Sequence, residues 1–242
     1  ISYSHPGAIG IQRQSGSQAA FETNWVFTGS RGERFNNRNA NLAYNPATGT
    51  NYPFSDISRR AYPEFGLVRM DWLEGWSNYN GWESSFTKRF SGGWQAGATY
   101  TLAVLRDSEP YAWDTRNERF LDFPVAPDLG ADYQLAPTDQ RHRAVLNGIW
   151  EMGYGFQLSG LYFYGSGMRF STNFGGDLRD TGGLTSGRQR PDGVIVPRTA
   201  LVGDPIHRVD VRLQKSFSLG ETRSIAGIAE VFNLFNHENY GS

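Results

Sequence analysis

Apolar and polar residues alternate along several stretches of this chain, which is the period of a β-strand with two different faces. The alternation is clearest between residues 208 and 219. One face there is aliphatic or aromatic, and the other carries Arg208, Asp210, Arg212 and Gln214. Lys215 is the exception on the apolar face, at a strand end where a lysine can extend to an interface. The pattern predicts strands that separate an apolar from a polar environment.

The same period predicts eight antiparallel strands, over residues 7–14, 19–31, 78–90, 93–106, 140–152, 156–167, 206–219 and 224–236. Strands must alternate in direction across the sheet, and this parity constrains the count. The segment Glu64–Glu74 also resembles a strand, but a ninth strand there would reverse the side of every later turn. We therefore assign that segment to a loop.

Connections between the predicted strands are strongly unequal in length. Short turns with glycine fall near residues 15–17, 91–93, 153–155 and 220–222, whereas residues 32–77, 107–139 and 168–204 form long polar connections. Ordinary loops have about 4–6 residues. Outer-membrane barrels have short periplasmic turns and long extracellular loops. The sequence therefore predicts an all-β, antiparallel transmembrane barrel, and the alternative of a soluble β-sandwich does not explain why all the short turns share one side.

Composition agrees with a barrel and removes several other classes. Aromatic residues make up 14% of the 242 residues, 29 residues are glycine, none is cysteine, and the net charge is −1. Mean hydropathy is −0.52, as expected where polar and apolar positions alternate. The absence of cysteine excludes disulfides and thiol chemistry, and the charge makes nucleic acid an unsuitable partner.

Four phrases in the expected order resemble TonB-dependent outer-membrane receptors, in particular the Oar-like group with an N-terminal carboxypeptidase-regulatory-like domain. They are NYNGWESSFTKRF with GWQAGATYTLA, DQRHRAVLNGIWEM, HRVDVRLQKSFSL and IAGIAEVFNLFNHENYG, and the phrase EVFNLFN is the most specific. The resemblance implies a barrel of about 22 strands that contains a plug domain. Residues 1–242 are then a partial barrel domain of about eight strands, without the plug, the TonB box and a final strand.

Charged residues that would face the lumen are the first group of candidate functional residues. Under the strand assignment they are Arg143, Glu151, Arg208, Asp210, Arg212 and Glu230. We expect opposite charges on neighbouring strands to pair and to set the register of the sheet. Contact with a plug domain is the alternative role.

The loops are the second candidate, because binding residues are commonly carried by loops on a rigid scaffold. Residues 107–139 are acidic, and Tyr111 and Trp113 within them are suited to stacking on a sugar or a peptide side chain. A calcium site is one interpretation of these carboxylates. Because no EF-hand spacing is present, a solvated acidic loop is the preferred interpretation.

No arrangement for catalysis is recognisable. The four histidines lack metal-ligand spacing, and no nucleophile elbow, P-loop or dinucleotide fingerprint occurs. We expect a non-enzymatic protein without cofactors in the outer membrane of a Gram-negative-type bacterium, in contact with membrane lipid. Two functions remain open: TonB-energised uptake of a scarce nutrient such as a metal chelate, glycan or peptide, or a structural or adhesive role in which the loops bind a surface protein or a small molecule. A soluble β-rich binding module is a third, less consistent alternative.

Overall fold

The fold is an antiparallel sheet with long connections at one end. The computed structural model describes residues 1–108, 123–183, 187–220 and 222–239, and for residues 35–37 the backbone alone. Within these residues the strands are β1 (Tyr3–Ser15), β2 (Ala19–Asn39), β3 (Tyr44–Asn45), β4 (Thr50–Asn51), β5 (Arg69–Ser91), β6 (Trp94–Asp107), β7 (Gln134–Leu135), β8 (His142–Gly153), β9 (Phe156–Gly165), β10 (Arg169–Phe170), β11 (Leu201–Val202), β12 (Ile206–Ser218) and β13 (Ser224–Val231).

Eight long strands form one sheet in the order β1-β2-β5-β6-β8-β9-β12-β13, and β7 pairs with β6 at one end. Each long strand therefore lies beside its sequence neighbours among the long strands, as the short turns predict. β1 and β13 occupy the two edges, and no pairing joins them within the described residues. Two 3-10 turns, Ile57–Arg59 and Gly130–Asp132, lie in the connections. None of the helices in this part of the chain is long and apolar enough to cross a membrane.

The two ends of the sheet differ as predicted, and we call them the turn end and the loop end. Gly92 and Gly93 have φ angles of 61° and 83° at the β5–β6 turn, a region that favours glycine because it has no Cβ. At the opposite end, three long connections join the long strands, and their described residues are 40–68, 108 with 123–141, and 166–183 with 187–205.

The first long connection is shorter than predicted, because β2 continues to Asn39 and β5 already begins at Arg69. The segment 69–74, which we assigned to a loop, is therefore the start of the same strand that contains residues 78–90. Parity is preserved because no additional strand is formed. Register shifts after Arg31, Glu33 and Phe35 interrupt the alternation, so the strand period is not visible in the sequence there.

The last strand is also shorter than predicted. β13 ends at Val231, whereas the alternating pattern extends to residue 236. Asn233 and Asn236 have φ angles of 50° and 47°, which bend the chain out of the strand. The backbone N–H of Asn233 donates to the Asp210 carboxylate at 2.9 Å. A side-chain contact with β12 thus replaces the ladder at this point.

Buried residues concentrate in the connections rather than in the long strands. Leu42 and Phe123 form a small core with Tyr44 and Phe54 packed against it. By contrast, strand residues such as Trp82 remain 53% exposed. A single sheet with both faces open thus carries a separately packed group of loops at one end.

Candidate functional site

The pairing register assigns every side chain of the long strands to one of two faces. Arg143 aligns with Gly165 and then with Ile206 across β8, β9 and β12, and directly paired residues share a face. The six candidate residues Arg143, Glu151, Arg208, Asp210, Arg212 and Glu230 all fall on this side by the same alignment. We call it the charged face and the opposite side the apolar face.

Charges on the charged face are partly arranged in pairs. The Arg212 guanidinium lies 3.4 Å from the carboxylate of Glu230, its direct partner on β13. Arg208 lies 2.8 Å from Asp210, but both residues are on β12. Only the first pair joins neighbouring strands in the manner expected from the sequence. Arg143 instead lies 5.6 Å above the ring of Phe163, a cation–π contact.

The three long connections pack together above the loop end of the sheet. Arg179 donates to the carbonyls of Phe123 and Pro124 at 2.9 Å and to the Asn51 side chain at 3.1 Å. The Tyr44 hydroxyl donates to the same Pro124 carbonyl at 2.8 Å. These bonds join residues from all three connections. We call this group of segments, residues 40–68, 123–141, 166–183 and 187–205, the loop assembly.

Buried ion pairs hold the loop assembly and attach it to the strands. Arg188 donates to the Asp132 carboxylate, and both side chains are almost completely buried. Arg198, also buried, donates to the carboxylate of Asp107 at the end of β6. Removing charges from water is costly unless they are paired and hydrogen-bonded. The partners of these pairs are far apart in the chain, so each pair fixes one segment relative to another.

A second buried carboxylate, Asp139, lies where the second connection meets the sheet. It accepts the Leu105 backbone N–H at 2.8 Å and the Arg169 Nε–H at 3.0 Å, and Arg141 lies 3.5 Å away. The preferred interpretation of residues 107–139 as a solvated acidic loop is therefore wrong for Asp132 and Asp139. The acidic composition of this stretch does not distinguish buried from solvated carboxylates. The burial of Asp132 and Asp139 depends on Arg188 and Arg169, which lie in another segment.

Within the first connection, Asn41 and Asp56 organise local turns. The buried Asn41 amide donates to the carbonyls of Tyr62, Phe65 and Gly66 at 2.8–3.1 Å. Asp56 begins the turn Ile57–Arg59 and accepts from the Ser58 hydroxyl at 2.6 Å and from its N–H at 3.2 Å. These bonds, mainly the one from the hydroxyl, lower the pKa of the Asp56 carboxyl.

A pocket of about 440 Å³ opens at the loop end beside β2, β5 and β6. Glu33, Ser77 and Asp107 line it, together with Arg34 and Leu105. The Ser77 hydroxyl donates to Glu33 at 2.8 Å, while Asp107 is held by Arg198 from the loop assembly. This pocket is not predictable from the sequence pattern, because the bulges that place Glu33 beside Gly75 interrupt the two-residue period.

Two candidate residues, Tyr111 and Trp113, lie outside the described residues. In the part of the chain that the structure describes, no three His, Asp or Glu side chains form a group suited to a metal ion. Each of the carboxylates Asp107, Asp132 and Asp139 is paired with an arginine side chain.

Comparison with known proteins agrees with this architecture. The family profile of the outer membrane beta barrel domain matches residues 2–196. The chain belongs to this family. Its location is therefore the outer membrane of a Gram-negative bacterium. No curated protein is similar enough to the barrel domain to count as a match.

Among solved structures, the outer membrane transporter YddB from Escherichia coli is similar to this barrel domain. The match has a TM-score of 0.56 at 10% sequence identity and covers 98% of this chain but 29% of the transporter. At this identity the similarity establishes the fold alone. The barrel domain thus spans less than one third of the length of the transporter that it matches.

Proposed function

We propose that this barrel domain is part of a TonB-energised outer-membrane receptor and transporter that takes up a scarce nutrient. In this proposal the loop end is extracellular, the turn end is periplasmic and the charged face lines the lumen, as in outer-membrane barrels generally. The nutrient belongs to the metal chelates, glycans or peptides. No catalytic step is assigned to the protein.

The loop assembly is the observation that supports this function best. Buried ion pairs such as Asp132 with Arg188 hold it in one arrangement, so a ligand that binds there loses less entropy than one that must order free loops. The pocket beside Glu33 includes Asp107, whose carboxylate is held by Arg198 of the loop assembly. A ligand captured by the loops would thus enter the lumen beside ordered polar groups.

The unpaired edges of the sheet support a larger barrel around this lumen. β1 contains 13 residues, and among the described residues it pairs on one side only, with β2. Exposed backbone N–H and C=O groups are not tolerated in the hydrocarbon core of a membrane. We infer that further strands pair with β1 and β13, and that a plug domain fills the lumen they enclose.

Two measurements test the proposal on the protein purified from outer membranes in detergent. Its intact mass, with mapping of the terminal peptides, should greatly exceed the 27.1 kDa of these residues and include a plug. Its binding to the purified C-terminal domain of TonB should be saturable and should disappear when the N-terminal TonB box is deleted. A larger protein that does not bind TonB would support the structural or adhesive alternative, and a mass of 27.1 kDa would contradict both the receptor and the larger barrel.

A further inference from the structure

Carboxylates are distributed asymmetrically between the two faces of the sheet. Over residues 1–31, 76–107, 142–165, 206–218 and 224–231, the pairing register directs every Asp and Glu to the charged face; they are Glu22, Glu83, Asp107, Glu151, Asp210 and Glu230. On the apolar face, Arg13, Lys88 and Lys215 lie near the short turns. The apolar face is therefore cationic at its turn end, and the strand residues named above place no carboxylate on it.

A groove of about 450 Å³ crosses the apolar face at the same end. Its floor contains Gly148 and Gly160, which lie directly opposite each other on β8 and β9. Trp94 and Trp150, which are also direct partners, line it together with Leu158. The missing side chains of the two glycines, next to two large rings, create a depression in a surface that is otherwise covered by side chains.

One lysine lies on the strand at each side of this groove, on β5 and on β12. Lys88 on β5 has its Nζ 3.9 Å from the Trp94 ring centroid and donates to the Ser91 carbonyl at 2.9 Å. Lys215 on β12 has its Nζ 4.2 Å from the Phe156 ring centroid. Lys88 thus lies over a ring that lines the groove, and Lys215 lies over Phe156, two residues before the groove residue Leu158.

We propose that the groove binds one acyl chain of an anionic phospholipid from the periplasmic leaflet, with the lipid phosphate on the side of Lys88 and Lys215. The protein is surrounded by lipid because it is an outer-membrane barrel domain. Water does not fill an apolar depression in hydrocarbon. Packing contacts, rather than the hydrophobic effect, favour association within a membrane. A hydrocarbon chain provides such contacts between Trp94 and Trp150.

Charge selects the headgroup in this proposal. Each lysine near a membrane surface contributes about fivefold in affinity for anionic lipid, equivalent to about 1 kcal/mol. The carboxylates of the described strands, such as Glu151 and Asp210, lie on the other face and do not oppose this attraction. The site therefore distinguishes a lipid with a net negative headgroup from a zwitterionic lipid with identical chains.

Native mass spectrometry of the protein purified from outer membranes tests the proposal, with phosphatidylglycerol and phosphatidylcholine of identical chains as the probes. We expect one tightly retained phosphatidylglycerol and weaker retention of phosphatidylcholine. Gly160→Val should remove the retained lipid by filling the groove. A Cβ at Gly160 meets no backbone closer than the Asp210 carbonyl at 3.9 Å, so the variant should fold.

Gly227→Val is the matched control. Gly227 lies opposite Lys215 on the same face, outside the groove, and a Cβ there meets nothing within 4 Å. This variant should retain phosphatidylglycerol like the wild type. Lys215→Gln should reduce the preference for phosphatidylglycerol about fivefold while the groove remains. Equal retention of both lipids by the wild type, retention unchanged in Gly160→Val, or a second protein copy in place of the lipid would each overturn the proposal.

Discussion

Arg188 donates a hydrogen bond to the carboxylate of Asp132, and the two residues are 56 positions apart in the chain. The other oxygen of the same carboxylate accepts the Val125 backbone N–H at 3.0 Å. The Arg188 side chain is 2% exposed and the Asp132 side chain 0%. Asp132 therefore fixes both its own connection and the following one, and the loop assembly depends on it.

Replacing Asp132 by Asn should loosen the loop assembly without unfolding the strands. Removing one member of a buried ion pair typically costs about 3–5 kcal/mol, and the Asn amide cannot neutralise the Arg188 guanidinium. Hydrogen exchange followed by mass spectrometry should show faster exchange in peptides covering residues 123–139 and 187–199. Peptides from β8 and β9 should exchange at the wild-type rate.

Asp71→Asn is the control for the Asp132 variant. The Asp71 carboxylate accepts from Arg34, but both side chains are more than half exposed. Exposed pairs contribute about 0–1 kcal/mol, so exchange in the loop assembly should not change. Equal exchange in the Asp71 and Asp132 variants would show that burial of the Asp132 pair does not stabilise the assembly.

The assignment of faces predicts that arginine destabilises the protein at one of two adjacent positions of β8 and changes little at the other. Leu146 is 47% exposed on the apolar face, and Asn147 lies on the charged face. An arginine that faces lipid near the bilayer centre costs about 2–4 kcal/mol. Leu146→Arg should lower the free energy of unfolding by this amount, whereas Asn147→Arg should change it little.

Urea unfolding in phospholipid vesicles, followed by tryptophan fluorescence, measures both variants. The comparison is internal, because the two substitutions introduce the same side chain at neighbouring positions. If Asn147→Arg is the more damaging change, the lumen-facing assignment of Arg143 and the other charged-face residues is wrong.

Sequence patterns were sufficient to predict the long strands and their faces, because the alternation of side chains along a strand is a local property. Arg143 and Ala144 are adjacent in the sequence and must point to opposite faces once the strand is recognised. The turns were equally local, since Gly92 and Gly93 mark a reversal by themselves. All eight long strands were therefore predicted, with errors at their ends.

The loop assembly and the pocket could not be predicted in this way. Asp132 is recognised as buried only when Arg188 lies beside it, and nothing in the sequence aligns two loop residues 56 positions apart. Glu33 reaches the charged side through the irregular pairing that follows Arg31, which removes the two-residue period. Contacts that depend on packing between segments thus remained outside the sequence prediction.

The lowered pKa of Asp56 predicts a local pH dependence in the first connection. A depressed pKa means that the folded state favours the carboxylate, so its contribution to stability is present above the unfolded value of 3.8 and is lost as the pH falls through the folded pKa. Ser58→Ala should raise the Asp56 pKa, because the hydroxyl hydrogen bond is the main cause of the shift. Titration of ¹³C-labelled aspartate carboxyls, assigned with Asp56→Asn, measures the change. An unchanged pKa in Ser58→Ala would contradict this explanation.

The pair of Arg212 and Glu230 separates the two roles considered for the charged face. Their side chains are 43% and 42% exposed, so as a register-setting pair in a wet lumen their coupling should be at most about 1 kcal/mol. A double-mutant cycle with Arg212→Gln and Glu230→Gln, measured by urea unfolding of the complete outer-membrane protein, gives this value. The exchanged variant Arg212→Glu with Glu230→Arg should retain most of the coupling, because the two positions lie directly opposite each other. A coupling well above this, or one that the exchange does not restore, would mean that a plug domain buries the pair and contacts it with charges of its own.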